Sequence, residues 1–256
     1  MTVSELRSIR AGATPVRIST SGRVTETQRA QAANTIERVV RRHRVESPAR
    51  VRISGAPCAD GPALVQVNLD FGGVPVRAQA IGPGAFATTF VAERLDRILA
   101  GVTAGAVRPR WPDPWRPQLA VPTEARPIVR RKVCAVRRVT VAEATVTLEA
   151  MDYDAHLFTD RETGMDAVVH RAGPWGVRLA RQHRLGLPAG ESLALTVNPL
   201  PTAYLSESEA AERLCRYGLP FVFCTDPRDN RGRLLYRRYD GDLGLIAPRH
   251  SIDSER

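Results

Sequence analysis

The chain lacks nearly everything that marks a membrane protein, a metal protein or an enzyme. No apolar run approaches the roughly 18 residues a membrane-spanning helix needs, and the N-terminus has no apolar signal core. A cytoplasmic protein with no membrane partner is expected. The four cysteines, Cys58, Cys134, Cys215 and Cys224, form no CxxC pair and have no histidines at zinc-ligand spacing. They read as reduced thiols, Cys215 and Cys224 buried, with no metal and no cofactor. There is no glycine-rich phosphate loop followed by Lys-Ser/Thr, no G-x-S-x-G elbow, no H-E-x-x-H and no carboxylate pair at a catalytic spacing. His156 and His170 fall in strand patterns and read as filler, and Gly82-Pro83-Gly84 reads as the loop leading into a helix. No catalytic residue is assigned, and the chain is not expected to be an enzyme.

Lysine is almost missing too: Lys132 is the single lysine among 37 basic side chains, which set the formal net charge at +10 in 256 residues. Arginine suits bidentate phosphate contacts, and a basic balance of this size points to an anionic partner. The charge is uneven. Residues 1–101 carry 14 basic and 8 acidic side chains, 102–127 carry 4 and 2, 128–190 carry 10 and 7, and 191–256 carry 9 and 10. A polyanion would therefore be held mainly by the front of the chain.

Periodicity predicts an α+β first domain over 1–101. Val16 and Ile18 alternate with Arg17 in a strand over 15–19, and Thr25 to Arg44 is an amphipathic helix with Ala32, Ala33, Ile36, Val39 and Val40 inward. Strands over 50–54, 63–71 and 74–80 follow, the last two joined at Gly72-Gly73. A second helix over 85–100 turns Val91, Leu95, Ile98 and Leu99 inward and Arg94 and Arg97 outward. The order β-α-β-β-β-α implies two helices on one face of a four-stranded sheet. Residues 102–127 hold six prolines and no apolar period, the mark of an extended linker. Trp111 and Trp115 within it either pack on a neighbouring domain or form a docking site.

Beyond the linker a module of about sixty residues occurs twice, at 128–190 and 191–256, as repeats of such a length do when a small unit must be covered by its neighbour. Each copy is predicted to begin with a strand, at 128–133 and 193–197. A helix start follows in each, opened by Thr140 with Glu143 and by Ser206 with Glu209; these capping boxes are structural signals without chemical meaning. A shift of 66 positions superimposes Glu143 on Glu209, Leu148 on Leu214, Thr159-Asp160 on Thr225-Asp226 and Arg171 on Arg237. After the last turn the match of Gly176 with Gly244 suggests a shift of 68. The second copy looks well preserved and the first worn, and the pair is expected to form an intramolecular pseudo-dimer.

The best binding candidate is the arginine face of the first helix, where Arg38, Arg41 and Arg42 lie opposite the apolar stripe. A solvated charged face usually mixes signs at pairing distance. Here the outward positions near the helix C-terminus are nearly all arginine, and with Arg94 and Arg97 they would make a ridge suited to structured RNA backbone.

The string Leu234-Leu235-Tyr236-Arg237-Arg238-Tyr239-Asp240-Gly241-Asp242-Leu243-Gly244-Leu245-Ile246 resembles a signature of the long-form bacterial ribosome hibernation promoting factor family. Phe221-Val222-Phe223, Leu205-Ser206-Glu207-Ser208-Glu209-Ala210 and Ile128-Val129-Arg130-Arg131-Lys132 resemble other stretches of it, and the N-terminal domain is similar in topology. Arg94-Leu95-Asp96-Arg97 resembles the family's K-L-E-R on the second helix, whereas Gly84-Ala85-Phe86 departs from its acidic-aromatic lead-in. The resemblance implies a factor that binds the small ribosomal subunit near the decoding centre, blocks tRNA and mRNA sites, and inhibits translation under stress and in dormancy. Its partners would be the 70S ribosome, small-subunit rRNA and ribosomal proteins. The rRNA contacts would fall on Arg29, Arg38, Arg41, Arg42, Arg44, Arg94 and Arg97. The paired modules would use Phe221, Phe223, Leu235, Tyr236 and Leu245.

The duplication departs from that family, whose long forms carry one C-terminal module and join two ribosomes through it. Two copies on one chain meet at an effective concentration in the millimolar range. A monomer paired in cis is therefore expected, acting on single 70S ribosomes. The alternative is a general RNA-binding regulatory adaptor whose tandem modules recruit a protein partner.

Overall fold

A computed structural model describes residues 15–56, 61–83, 86–105, 124–183, 195–238 and 241–249. Trp111, Trp115, Cys58, Tyr239 and Asp240 lie outside the described residues. The chain divides into two compact units, one holding the described residues up to 105 together with 149–152, the other holding 124–148 and 153 onward.

In the N-terminal unit the order is β1 (Val16–Ser21), α1 (Glu26–Arg42), β2 (Ala49–Ser54), β3 (Pro62–Phe71), β4 (Val74–Pro83) and α2 (Phe86–Thr103). The sheet runs β1-β2-β3-β4, with β1 and β2 parallel and the other neighbours antiparallel. Parallel neighbours need a crossover, and α1 supplies it. Thr25 caps α1 reciprocally with Gln28, satisfying two free amides at the helix start. Gly72 and Gly73 both take positive φ, 60° and 83°, as a two-residue hairpin between Phe71 and Val74 requires. Strand alternation places Val51, Ile53, Val65, Val67, Val76, Ala78 and Ala80 in the core, where Ile36, Val40, Val91, Leu95 and Leu99 from the helices meet them.

The C-terminal unit holds two sheets. One is ordered β10-β9-β8-β7-β6, from Leu195–Val197, Val177–Arg181, Asp166–Arg171, Ala155–Asp160 and Arg138–Val139. The other is β11-β12-β13-β5, from Phe221–Thr225, Gly232–Arg237, Leu243–Pro248 and Ile128–Cys134. Helices α3 (Val141–Ala150) and α4 (Glu207–Arg216) begin at the two capping boxes. The repeat is visible in backbone detail. Asp152 and Gly218, just past the two helices, both take left-handed φ, and so do Gly164 and Asn230 in the two hairpins. Arg171 and Arg237 each donate Nε to a backbone carbonyl at matching places, Tyr153 at 2.9 Å and Leu219 at 3.2 Å.

Two features differ from the sequence expectation. The shift stays at 66 through the last strand: Arg171 pairs with Val177 and Arg237 with Leu243, so five residues separate the strands in both copies. Gly244 therefore corresponds to Arg178, not Gly176. Matching glycines is misleading because Gly244 answers to a local need: a Cβ there would lie 2.4 Å from the Tyr236 ring. The second difference is an exchange of strands. β5 precedes the first helix yet pairs with β13 of the second copy, while β10, which leads into the second copy, pairs with β9 of the first. Each sheet is completed by the other copy's leading strand.

Candidate nucleic-acid interface and module pairing

Arg38, Arg41, Arg42 and Arg44 are placed along the last turns of α1 and just beyond it, with Arg41 and Arg42 exposed. They are less free than the sequence implies. Arg41 pairs with Glu37 at 2.6 Å and Arg42 with Asp96 at 3.1 Å; Arg38 donates to the Thr35 hydroxyl at 3.3 Å. Burial alone would raise the Asp96 carboxyl, but the 2.9 Å contact with His43 Nε2 and the Arg42 charge carry it below its ordinary value. Arg29 keeps only 19% of its side-chain surface and lies 3.8 Å from Glu26. The exposed pairs of Arg41 and Arg42 contribute little to stability.

Arg94 corrects the sequence reading. Expected outward, it is buried, its Nε and Nη2 both 2.7 Å from the Asp152 carboxylate, which also accepts the Gln79 amide at 3.3 Å. The buried face of α2 is wider than the simple stripe, taking in Ala87, Thr88, Val91, Ala92, Arg94, Leu95, Ile98 and Leu99. A buried arginine is tolerated only with a partner, and that partner lies 58 residues away in sequence. Arg97 is half-buried.

The module residues also divide. Phe221 and Phe223 pack with Ile246 and Val136 around Leu157, Val168 and Leu234, a cluster drawn from both copies. His170 of the first copy meets the Phe221 ring edge-on at 5.0 Å. Leu235 and Leu245 lie instead in the second copy's own core, with Ala210, Leu214 and Leu243. Strand parity accounts for this, since neighbours along β12 and β13 face opposite ways. Tyr236 covers Gly244, and Lys132 on the exchanged β5 places its Nζ 5.9 Å from the ring centroid.

The pairing has a polar centre that pattern reading missed. Asp166 is buried and accepts from Thr159 Oγ1 at 3.0 Å, Arg231 Nε at 2.8 Å and the Gly232 amide at 2.8 Å. Nearby, Gln182 donates to Thr225 Oγ1 at 3.1 Å and to the Asn230 carbonyl at 3.0 Å. Asp166 plus 66 is Gly232, so a residue of one copy touches its own counterpart in the other, as happens on a two-fold axis. The repeat shift held this signal, but only the folded chain gives it meaning.

Cys224 is buried and its thiol is pushed up to about 11 by desolvation, with Asp226 adding to the rise; Cys215 is half-buried and Cys134 exposed. Among the described residues no group of three histidine, cysteine or acidic side chains could hold a metal, and no helix is long and apolar enough to cross a membrane.

Residues 123–179 match the family model described as Sigma 54 modulation/S30EA ribosomal protein C terminus. The match falls on the copy that looks worn by eye. The chain is also 46% identical over 241 residues, 91% of its length and 88% of the relative's, to the dormancy associated translation inhibitor of Mycobacterium tuberculosis, in strain H37Rv and in strain CDC 1551.

Proposed function

The chain belongs to the ribosome hibernation promoting factor family, and on that premise we propose that it inhibits translation under stress from the small ribosomal subunit near the decoding centre. There it would block tRNA and mRNA positions, on single 70S ribosomes and without joining two of them. The exposed arginines of α1 support the RNA-binding half of this reading, since charge complementarity supplies most of the affinity for RNA backbone.

The single observation that carries the other half is Asp166 against Gly232. Two chains pairing through like copies would bring Asp166 against Asp166, two buried carboxylates with no cation between them, or Gly232 against Gly232, with no acceptor for either amide. Like charges and unpaired buried groups each oppose such a match. The unlike pair satisfies every one of these groups and is already tethered. The surface through which single-module relatives join is thus occupied from within.

Sucrose-gradient sedimentation of 70S ribosomes with added protein tests both halves. The protein is expected in the 70S peak with no faster ribosome-dimer peak, and Arg38→Glu/Arg41→Glu/Arg42→Glu is expected to shift it to the top of the gradient. A ribosome-dimer peak overturns the single-ribosome reading; binding unaffected by the charge reversal overturns the α1 assignment.

A further inference from the structure

The face of the N-terminal sheet turned away from the helices carries its own basic surface. Strand register puts Arg17, Arg50, Asn68 and Arg77 side by side across all four strands, with Ser19, Arg52, Gln66 and Gln79 in the next row. Each row crosses three strand spacings, about 14 Å. Arg17, Arg50 and Arg52 are exposed and Arg77 is half-buried. Among the described residues none of these four arginine side chains makes an ion pair or a hydrogen bond, in contrast to Arg41 and Arg42 on α1. The acid on this face, Asp70, lies at the hairpin end, where it accepts the Gly73 amide at 2.8 Å.

Two details argue against an ordinary solvated face. Arg17 and Arg50 are direct cross-strand partners, and like charges so placed oppose folding. Arg77 Nε is out of solvent and has no acceptor among the described residues, a desolvation cost left uncompensated there. An anion lying along the row relieves the first of these costs directly.

We propose that this open sheet face is a second RNA-binding surface, which holds ribose-phosphate backbone while the α1 arginines hold another stretch on the opposite side of the domain. This rests on the ribosome-binding reading above and deepens it: the domain is gripped between two RNA segments. Arginine forks match phosphate oxygens bidentately, and Asn68 and Gln66 beside them can bond ribose hydroxyls. The two rows hold no aromatic side chain on which bases could stack, so recognition here is of backbone and insensitive to base sequence.

The test compares wild type, Arg17→Gln/Arg50→Gln/Arg52→Gln and the α1 variant Arg38→Glu/Arg41→Glu/Arg42→Glu. Binding is measured to 70S ribosomes and to protein-free small-subunit rRNA, over about 50 to 200 mM salt. The sheet variant is expected to bind both at least tenfold more weakly, with a salt slope shallower by about 2 to 3, near one for each phosphate no longer neutralised. Its melting temperature should stay level or rise as the Arg17–Arg50 repulsion goes. Should the triple variant fold poorly, Arg50→Gln alone should still reduce the slope by about 1. Unchanged rRNA affinity and slope overturn the proposal. A loss on 70S ribosomes with none on bare rRNA also overturns it, because the face then meets an acidic protein. If the α1 variant fails to bind while the sheet variant behaves as wild type, only the second surface falls; if wild type does not bind 70S ribosomes, the functional reading falls first.

Discussion

The two copies of the C-terminal module keep the same carboxylate and neutralise it in different ways. Asp160 ends β7 and Asp226 directly follows β11, and each accepts an amide two residues on, from Glu162 at 3.0 Å and Arg228 at 2.9 Å, so each starts the same hairpin. In the first copy the balancing charge is Arg181 on β9, 2.9 Å away and fully buried with it. In the second it is Arg228 in the loop at 2.7 Å and Arg233 on β12 at 3.4 Å. The counterpart of Arg181 is Ala247, and that of Arg233 is Ala167. What persists is neutralisation of a buried acid at one backbone position; the element that supplies it is free to change. A copy can look worn by identity and still be held to the same geometry.

The largest test of that contrast is removal of the acids. Asp160→Ala takes from the buried Arg181 its 2.9 Å partner and leaves it the half-exposed Glu162 at 3.4 Å, and should cost about 3–4 kcal/mol. Asp226→Ala should cost less, about 1–3 kcal/mol, because Arg228 is 72% exposed and Arg233 retains Asp229 at 2.5 Å. Denaturant midpoints of the two variants give the order directly, and equal losses would show that the copies do not differ in this way.

Next in size is the glycine that only one copy needs. Gly244→Ala pushes a methyl into the Tyr236 ring and should cost about 1–3 kcal/mol. Arg178→Ala at the corresponding place should stay within about 0.5 kcal/mol. Thermal melts of the pair would undo the assigned register if their order were reversed.

A difference that shows only in acid is a pH dependence arising in the first copy. His156 is lowered to about 4 by desolvation, with Arg137 nearby acting the same way, whereas its counterpart is Val222. An unfolded histidine takes up a proton near 6.5, and the folded one resists until about pH 4. Stability from this group is therefore full above about pH 6.5 and is lost as pH falls from there toward 4. His156→Val should flatten that part of the stability profile, and an unaltered profile would remove the histidine as its source.

Much of this was legible beforehand. Alternation along Val65, Val67 and Leu69 and the stripe Ala32, Ile36, Val39, Val40 are local, and local patterns bring the N-terminal β-α-β-β-β-α order with them. Both C-terminal capping boxes are four-residue signals and needed no tertiary information. The strand exchange was not legible, because Ile128–Cys134 reads as a strand whichever sheet it joins. Arg94 was misplaced for a related reason: its burial depends on Asp152, which no helical period can announce. Arg17 stands out from the sequence as an outward residue, but the alignment of Arg17 and Arg77 with Arg50 and Arg52 exists only in the register of four strands.

Closure of the two modules within one chain is the central claim, and sedimentation equilibrium of the free protein over a wide concentration range measures it most directly. The expected result is the mass of a single chain throughout, unchanged on dilution; a concentration-dependent rise to the mass of two chains would contradict it.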